Sequence, residues 1–234
     1  MKQKFLLLIA PFAVFLLDII TRWFLKFGKK ISGIYTFFWF DLNQDWFDHR
    51  YDYLRGADNF YWQERGFWAN SIIKKRDLIL DIGCAEGFFT AVYYANKAKQ
   101  VDAIDLSSQA IKFARRSYHL PNINYIHADI NNFSFPKAKY HKVFMFVTLE
   151  RMTETDGLNL LTKIEMSLIK NGIFFGSTPI FQDDKIPRRG NLNEFSSVKN
   201  LRKFLKSSFR DSNIEIFTSQ WPSKRLETYF KCTK

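Results

Sequence analysis

Residues 78–90 have the sequence Leu-Ile-Leu-Asp-Ile-Gly-Cys-Ala-Glu-Gly-Phe-Phe-Thr, and this stretch decides the fold of the chain. Apolar residues that favour strands lead to an acidic residue, small residues follow where the backbone must turn, and the aromatic pair Phe88 and Phe89 begins a helix. This succession of strand, turn and helix predicts a ligand site at the carboxyl end of a first parallel strand.

The turn itself restricts the class of ligand. A dinucleotide-binding turn that starts at Gly83 requires glycine at positions 85 and 88, where this chain has Ala85 and Phe88. A phosphate-binding P-loop requires Gly-Lys-Ser or Gly-Lys-Thr, which this turn lacks. What remains is a carboxylate, Asp81, before a turn without a cation. This arrangement favours a ligand with a positive charge and no phosphate.

Residues 81–87 resemble the first motif of the class I S-adenosylmethionine-dependent methyltransferases, a family that includes many small-molecule methyltransferases. Their cofactor, S-adenosylmethionine, carries an ammonium and a sulfonium, which agrees with the acidic turn. The resemblance extends over residues 78–179. It implies an α/β fold, with a Rossmann-like, doubly wound seven-stranded sheet and helices on both of its faces. The turn residues that it assigns to the cofactor are Asp81, Gly83, Cys84, Ala85 and Gly87.

Further acidic residues follow the next two predicted strands. Asp105 comes 18 residues after Gly87, a spacing at which a carboxylate can accept hydrogen bonds from both hydroxyls of a ribose. In the resemblance Asp105, with Leu106 beside it, belongs to the ribose side of the cofactor site. The resemblance also implies that Asp129 accepts a hydrogen bond from the adenine amino group and that the backbone N–H of Ile130 donates to the adenine ring.

Arg55 and Arg65 precede the first strand, and position and charge predict that one of them, Arg55 or Arg65, meets the carboxylate of the donor's methionine part. Tyr61 and Trp62 are candidates to close over the sulfonium. For each of these residues, packing against the outer face of the sheet is the alternative.

The segment after the fourth predicted strand determines which residues are available for catalysis. Family members often have Leu-Glu-His there, whereas this chain has Leu-Glu-Arg at residues 149–151, so the expected histidine is missing. The remaining candidates for a general base are Glu150, His127 and His141. We therefore predict a mechanism that depends mainly on proximity and alignment.

No metal is expected. Asp183 and Asp184 are adjacent carboxylates without spaced partners, and Cys84 and Cys232 have neither zinc-ligand spacing nor the number for a disulfide framework. The cysteine content and the cytosolic origin of the methyl donor predict a cytoplasmic protein.

The remaining pattern predicts the order of helices and strands. Ser107 and Ser196 are predicted to cap the starts of two helices, and Asn171-Gly172 is predicted to end a third. These signals separate alternating strands and helices. The last two strands are expected to form an antiparallel hairpin. The predicted helices cover residues 87–98, 107–120, 156–170 and 196–209. The predicted strands after the first cover residues 101–104, 123–126, 143–149, 173–177, 214–219 and 226–232.

The formal net charge of +12 is unevenly distributed. Residues 1–76 carry +5 and residues 185–234 carry +8, whereas residues 77–184 carry −1. Basic flanks favour anionic surroundings, namely a phospholipid surface, an acidic substrate or nucleic acid. Solvated basic faces without a partner are the alternative.

The N-terminal segment is strongly apolar. Residues 5–17 form an unbroken run of 13 apolar residues, and residues 5–25 are long enough for a bilayer span if Asp18 and Arg22 pair on one helix face. We predict a hydrophobic N-terminal helical extension that either spans a membrane or lies in one leaflet. Packing on the protein or on a second subunit is the alternative. The predicted domains are a membrane-associating segment over residues 1–40, lid helices over residues 41–76 and the methyltransferase domain over residues 77–234.

Three hypotheses follow for the function. The first is an enzyme that methylates an O or N atom of a small-molecule or lipid-linked acceptor at a membrane surface. The second is an RNA-modifying methyltransferase, which ranks lower because no Asn-Pro-Pro-Tyr-like tetrapeptide follows the fourth strand. The third is a membrane-tethered module that binds S-adenosylmethionine without turnover. The sequence leaves the acceptor and the oligomeric state open.

Overall fold

The computed structural model describes residues 2–36, 60–180, 192, 195–219 and 227–234. The chain divides into two compact units, residues 1–59 and residues 60–234. The helices are α1 (Lys2–Thr36), α2 (Phe60–Ile72), α3 (Ser108–Ser117), α4 (Glu154–Ser167) and α5 (Val198–Leu205). The strands are β1 (Leu78–Ile82), β2 (Gln100–Asp105), β3 (Ile123–His127), β4 (Tyr140–Phe146), β5 (Leu168–Pro179), β6 (Ile214–Thr218) and β7 (Glu227–Thr233).

The seven strands form one sheet in the order β3-β2-β1-β4-β5-β7-β6. The first five strands in this order are parallel, and β7 is antiparallel to both of its neighbours, β5 and β6. The predicted doubly wound sheet and its closing hairpin are therefore confirmed. The strand order reverses between β1 and β4, which is the point where such sheets form a ligand crevice at the carboxyl ends of the strands.

Two apolar cores cover the two faces of the sheet. One face packs against α4 and α5, and the other packs against α2 and a π-helical turn at Thr90–Tyr94, with α3 beside them. The central strands are buried on both faces, which explains why β1 and β4 are almost continuously apolar. Helices on both faces confirm the predicted architecture.

The first unit contains α1, whose large apolar side chains are exposed wherever they are described between Phe12 and Ile34. Asp18 and Arg22 form the expected ion pair, with Arg22 Nε 2.8 Å from Asp18 Oδ2. No helix in the part of the chain that the structure describes has the length and apolar character needed to cross a bilayer. Residues 37–59, which include the end of the predicted membrane-associating segment and most of the predicted lid segment, lie outside the described residues.

The predicted helices differ from the structure in their type or at their ends. Residues 87–98 form a short helical start and the π-helical turn rather than a continuous α-helix. The helix predicted over residues 156–170 ends at Ser167, because Leu168 is fully buried and pairs with Tyr140 in the sheet. Asn171 has a φ of +61°, so the expected break occurs within β5. The last helix begins after Ser197, whose hydroxyl accepts a hydrogen bond from Asn200 N, and not after Ser196.

The amino edge of the sheet contains a buried ion pair. Lys142 Nζ lies 3.2 Å from Asp77 Oδ2, and both side chains are almost fully buried. Asp77 Oδ2 also accepts a hydrogen bond from Lys74 N. Beside this pair, His141 Nδ1 accepts a hydrogen bond from Leu78 N at 3.1 Å. His141 thus lies at the edge opposite to the crevice, so its suggested role as a general base is wrong.

Candidate functional site

The turn after β1 is held in a conformation that few residues adopt. Gly83, Ala85 and Gly87 have φ values of +75°, +47° and +82°. The N–H groups of Gly83 and Cys84 both donate to the carbonyl oxygen of Ile104, at 2.8 and 3.1 Å. The backbone of the turn is therefore fixed against the end of β2, and glycine carries the positive φ at two of the three positions.

Neighbouring side chains also leave no room for a Cβ atom at either glycine. A Cβ atom on Gly83 would lie 2.5 Å from Thr148 Oγ1, and a Cβ atom on Gly87 would lie 2.6 Å from Tyr125 Oη. Thr148 follows β4, so the turn after β1 is packed tightly against the exit of the neighbouring strand. This close approach forms the floor of the crevice.

Asp81 lies at the end of β1, with 4% of its surface exposed. Thr90 Oγ1 donates a 2.5 Å hydrogen bond to Asp81 Oδ2. The pKa of Asp81 is raised to about 7, mainly by burial. The hydrogen bond from Thr90 acts to lower the pKa, whereas the nearby carboxylates Asp105 and Glu86 act to raise it. A cationic ligand would favour the ionised form of such a group.

Asp105 joins the two strand ends. Its Oδ2 accepts a 2.8 Å hydrogen bond from Ala85 N, and its Oδ1 accepts one of 2.8 Å from Ser107 N. Both carboxylate oxygens are hydrogen-bond acceptors, which is the chemistry that ribose hydroxyls require. Leu106 is 69% exposed next to it. The structure thus brings Asp105 to the motif turn, as the spacing predicts.

Asp129 follows β3 at the same edge of the sheet. Its oxygens accept local hydrogen bonds from Asn131 N and Asn132 Nδ2, which fix the carboxylate in a tight turn. Ile130 is partly buried against the core. His127 is exposed, and its Nε2 lies 3.0 Å from the carbonyl oxygen of Leu106. The cofactor and catalytic roles of these residues remain predictions.

The structure gives Arg65 a different partner from the expected one. Arg65 is 4% exposed on α2, and its guanidinium lies 3.0 Å from Oε1 of the buried Glu227. Glu227 also accepts a hydrogen bond from the hydroxyl of Ser177. This buried pairing ties α2 to β7, so we replace the expected carboxylate-binding role of Arg65 with a structural one. The side chains of Tyr61 and Trp62 lie outside the described residues.

Polar side chains are also buried beyond β4 and β5. Glu150, in the 3₁₀ turn Leu149–Arg151, has 1% of its surface exposed. Thr178, near the end of β5, donates a 3.3 Å hydrogen bond from Oγ1 to Glu150 Oε2. A carboxylate and a hydroxyl are thus buried together, one after β4 and the other near the end of β5.

The described residues contain no group of three or more histidine, cysteine, aspartate or glutamate side chains that could hold a metal ion. Asp183 and Asp184 lie outside the described residues. Cys84 and Cys232 are both buried and free. Burial raises the pKa of the Cys84 thiol well above its usual value, and the nearby Asp81 raises it further.

Sequence reasoning missed two residues of the crevice, Thr90 and Thr148. Neither residue belongs to the motif turn, and each contacts the turn or the strand before it only in the folded chain. The hydrogen bond from Thr90 to Asp81, for example, joins residues that are 9 positions apart. The only sequence signal is a polar residue within an apolar helix start, which is ambiguous because threonine is common on solvated helix faces.

Comparison with known families identifies the domain that contains this site. The family described as "Methyltransferase domain" matches residues 79–172, which include the turn, Asp105, Asp129 and Glu150. Residues 79–172 thus form a methyltransferase domain, in agreement with the resemblance to the class I S-adenosylmethionine-dependent family. A search of curated proteins found no match.

Solved structures share the fold of this methyltransferase. A methyltransferase from Mesorhizobium loti is 17% identical, with 76% of this chain and 100% of that chain covered and a TM-score of 0.61. The N-methyltransferase NodS from Bradyrhizobium japonicum is 20% identical, with 76% and 100% covered and a TM-score of 0.58. The [4+2]-cyclase SpnF is 12% identical, with 81% and 85% covered and a TM-score of 0.62.

The residues of the crevice fit the cofactor of this family, S-adenosylmethionine. The carboxylate of Asp81 suits the positively charged methionine part of the cofactor, and the carboxylate of Asp105 suits its ribose hydroxyls. The positive φ angles of Gly83 and Gly87 fix the course of the turn. The described site therefore agrees with the cofactor in its charge and in its hydrogen-bonding groups.

A Gly83→Ala substitution should weaken donor binding and lower the free energy of unfolding by roughly 2 kcal/mol, because of the positive φ and the contact with Thr148. Calorimetric binding and thermal unfolding measure the two effects. The variant Gly83→Ala/Thr148→Ala removes the hydroxyl from the contact, and should recover part of the stability but not the part due to φ. If the double variant is no more stable than the single one, the close approach does not constrain the turn.

Proposed function

We propose that the enzyme transfers the methyl group of S-adenosylmethionine to an O or N atom of a small-molecule or lipid-linked acceptor. The observation that carries this proposal is the buried pair of Glu150 and Thr178, beside the acidic donor turn. Carboxylate and hydroxyl groups suit an acceptor that presents O–H or N–H. One structural neighbour, NodS, is an N-methyltransferase, which is in line with a nitrogen acceptor.

The chain's own residues contribute mainly alignment in this proposal. S-adenosylmethionine, when bound, supplies an electrophilic methyl group on a sulfur that leaves without charge. Asp81 and Asp105 would hold the donor, while the ends of β4 and β5 orient the acceptor and exclude water from it. Glu150 is the group that we assign to accept a proton from the acceptor, with His127 as the alternative at the same edge.

We further propose that α1 places the enzyme on an anionic lipid surface at the cytoplasmic face of a membrane. Its apolar side chains are exposed around the helix, including Phe12, Phe15, Trp23 and Phe24, and a helix with this character requires an apolar environment. Lysine side chains follow them at positions 26, 29 and 30, where they can meet lipid phosphates. An acceptor embedded in the same membrane would then share its surface with the enzyme.

The experiment combines the purified full chain with methyl-labelled S-adenosylmethionine and with membrane, soluble and RNA fractions of cells. We expect label in a small molecule or lipid, mostly in the membrane fraction. Label in RNA would support the RNA-modifying alternative. Binding of the donor without label in any fraction would support the module without turnover. Each of these two outcomes would overturn the proposed acceptor class.

A further inference from the structure

Thr90 lies directly beneath the donor turn. Its side chain is fully buried, and its hydroxyl donates the 2.5 Å hydrogen bond to Asp81 Oδ2. Its carbonyl oxygen accepts a hydrogen bond from Ala95 N at 2.9 Å, which closes the π-helical turn. Such turns are frequent at functional sites, and this one fixes the backbone that carries the hydroxyl.

The bond determines which way the Asp81 carboxylate faces. The terminal torsion of an aspartate is broad, so a carboxylate without a fixed partner would rotate between several orientations. With Oδ2 bonded to Thr90, Oδ1 is the oxygen that is left for a ligand. The remaining exposed surface of Asp81 is small, so the orientation of this one group matters for any cation that approaches it.

We propose that Thr90 is a positioning residue for donor binding, because its hydroxyl holds the Asp81 carboxylate in the orientation that meets the positively charged methionine part of S-adenosylmethionine. The proposal rests on the donor-binding role assigned to Asp81. It adds to that role a residue outside the motif turn, on the π-helical turn Thr90–Tyr94.

The groups around Asp81 allow the effect of Thr90 on its pKa to be distinguished from the other effects. Glu86 in the turn and Asp105 after β2 are the nearby carboxylates, and both raise the pKa of Asp81. Its partners in the neighbouring strands, Ala103 and Phe144, are apolar. The nearby Cys84, Tyr94 and Tyr125 have raised pKa values, so they carry no charge near neutral pH. The hydrogen bond from Thr90 lowers the pKa of Asp81, whereas burial and the two carboxylates raise it.

The expected dependence on pH follows from these charges. The pKa of Asp81 is about 7 without ligand, and a cationic donor favours the carboxylate form. Donor affinity should therefore rise as the pH rises through about 7, and then level off once Asp81 is ionised in the free protein. Loss of the bond from Thr90 raises the pKa of Asp81, so the midpoint of this rise moves to higher pH.

The test measures the affinity for S-adenosylmethionine by calorimetry from about pH 6 to pH 9 in the full-length chain. Thr90→Val should bind about tenfold more weakly at pH 8, with a higher pH midpoint, because it retains the volume and loses the hydroxyl. Thr90→Ser should keep the wild-type midpoint. The control variant is Thr162→Val, whose exposed hydroxyl bonds to the carbonyl oxygen of Leu158 on α4 and to the hydroxyl of Ser208, and it should not change binding.

The outcomes separate this proposal from the donor assignment itself. If the wild-type protein binds no S-adenosylmethionine at any pH, the assignment of the donor site fails. If the wild type binds and Thr90→Val has the same affinity and the same pH midpoint, Thr90 does not position Asp81. If Thr90→Val does not fold, the smaller Thr90→Cys, whose thiol is a much weaker donor, serves the same test. An unchanged midpoint in that variant would also overturn the proposal.

Discussion

Asp105→Ala should bind S-adenosylmethionine at least about 100-fold more weakly than the wild type, because two charge-assisted hydrogen bonds to the ribose are lost together. The same substitution removes the acceptor for Ala85 N and Ser107 N, so the turn also loses its tie to β2. Both effects act in the same direction. Calorimetric titration at pH 8 measures the affinity, and thermal unfolding monitors the loss of the tie.

Asp105→Asn separates the two effects. The amide keeps one oxygen as an acceptor and the shape of the side chain, but it carries no charge and replaces the other oxygen with a donor. We expect an affinity between those of the wild type and Asp105→Ala. Asp211→Ala is a control on the surface, where the carboxylate only pairs with Arg202 and Lys206. Unchanged affinity in Asp105→Ala would remove this residue from the donor site.

Lys142→Met should lower the free energy of unfolding by about 3–5 kcal/mol, because it leaves the buried carboxylate of Asp77 without its cation. Methionine fills a similar volume, so most of the loss comes from the unpaired charge. Urea unfolding, followed by circular dichroism, measures the change. The residues lie at the amino edge of the sheet, so donor affinity should remain unchanged while the protein is folded.

The double variant Asp77→Asn/Lys142→Met tests this explanation. Removing both charges should recover much of the stability, since a buried ion pair contributes little beyond neutral groups of similar shape. Lys139→Met is a matched control, because Lys139 pairs with Asp102 at 2.6 Å but is 37% exposed, and Tyr140 and Asn124 still donate to Asp102. Lys139→Met should lower the free energy of unfolding clearly less than Lys142→Met does. Equal losses in Lys142→Met and the double variant would contradict the charge argument.

The sequence was sufficient for the sheet and for the acidic strand ends, because both depend on local patterns. Strand residues 78–82 are apolar on both faces, and Asp81 and Asp105 stand where such strands end. Parallel strands align their carboxyl ends at one edge, so the proximity of Asp105 to the motif turn follows from the topology. The antiparallel hairpin at the C-terminus was equally visible.

Contacts between distant segments were not visible in the sequence. The helix α4 ends three residues before the predicted end, because burial of Leu168 in the sheet outweighs the helical pattern through Lys170. Arg65 has the charge of a ligand-binding residue, and only the fold reveals that Glu227, 162 residues later, neutralises it. The bond from Thr90 depends on a π-helical turn, a conformation without a clear sequence signal.

The buried cysteines have a practical consequence for studying this protein in solution. A thiol with little exposure and a raised pKa reacts slowly with alkylating reagents, so modification of the native protein requires a transient opening of its segment. Cys84 lies in the donor turn, whereas Cys232 lies near the carboxyl end of β7. The labelling rates of the two thiols would therefore report separately on breathing of the cofactor turn and on unfolding of the sheet.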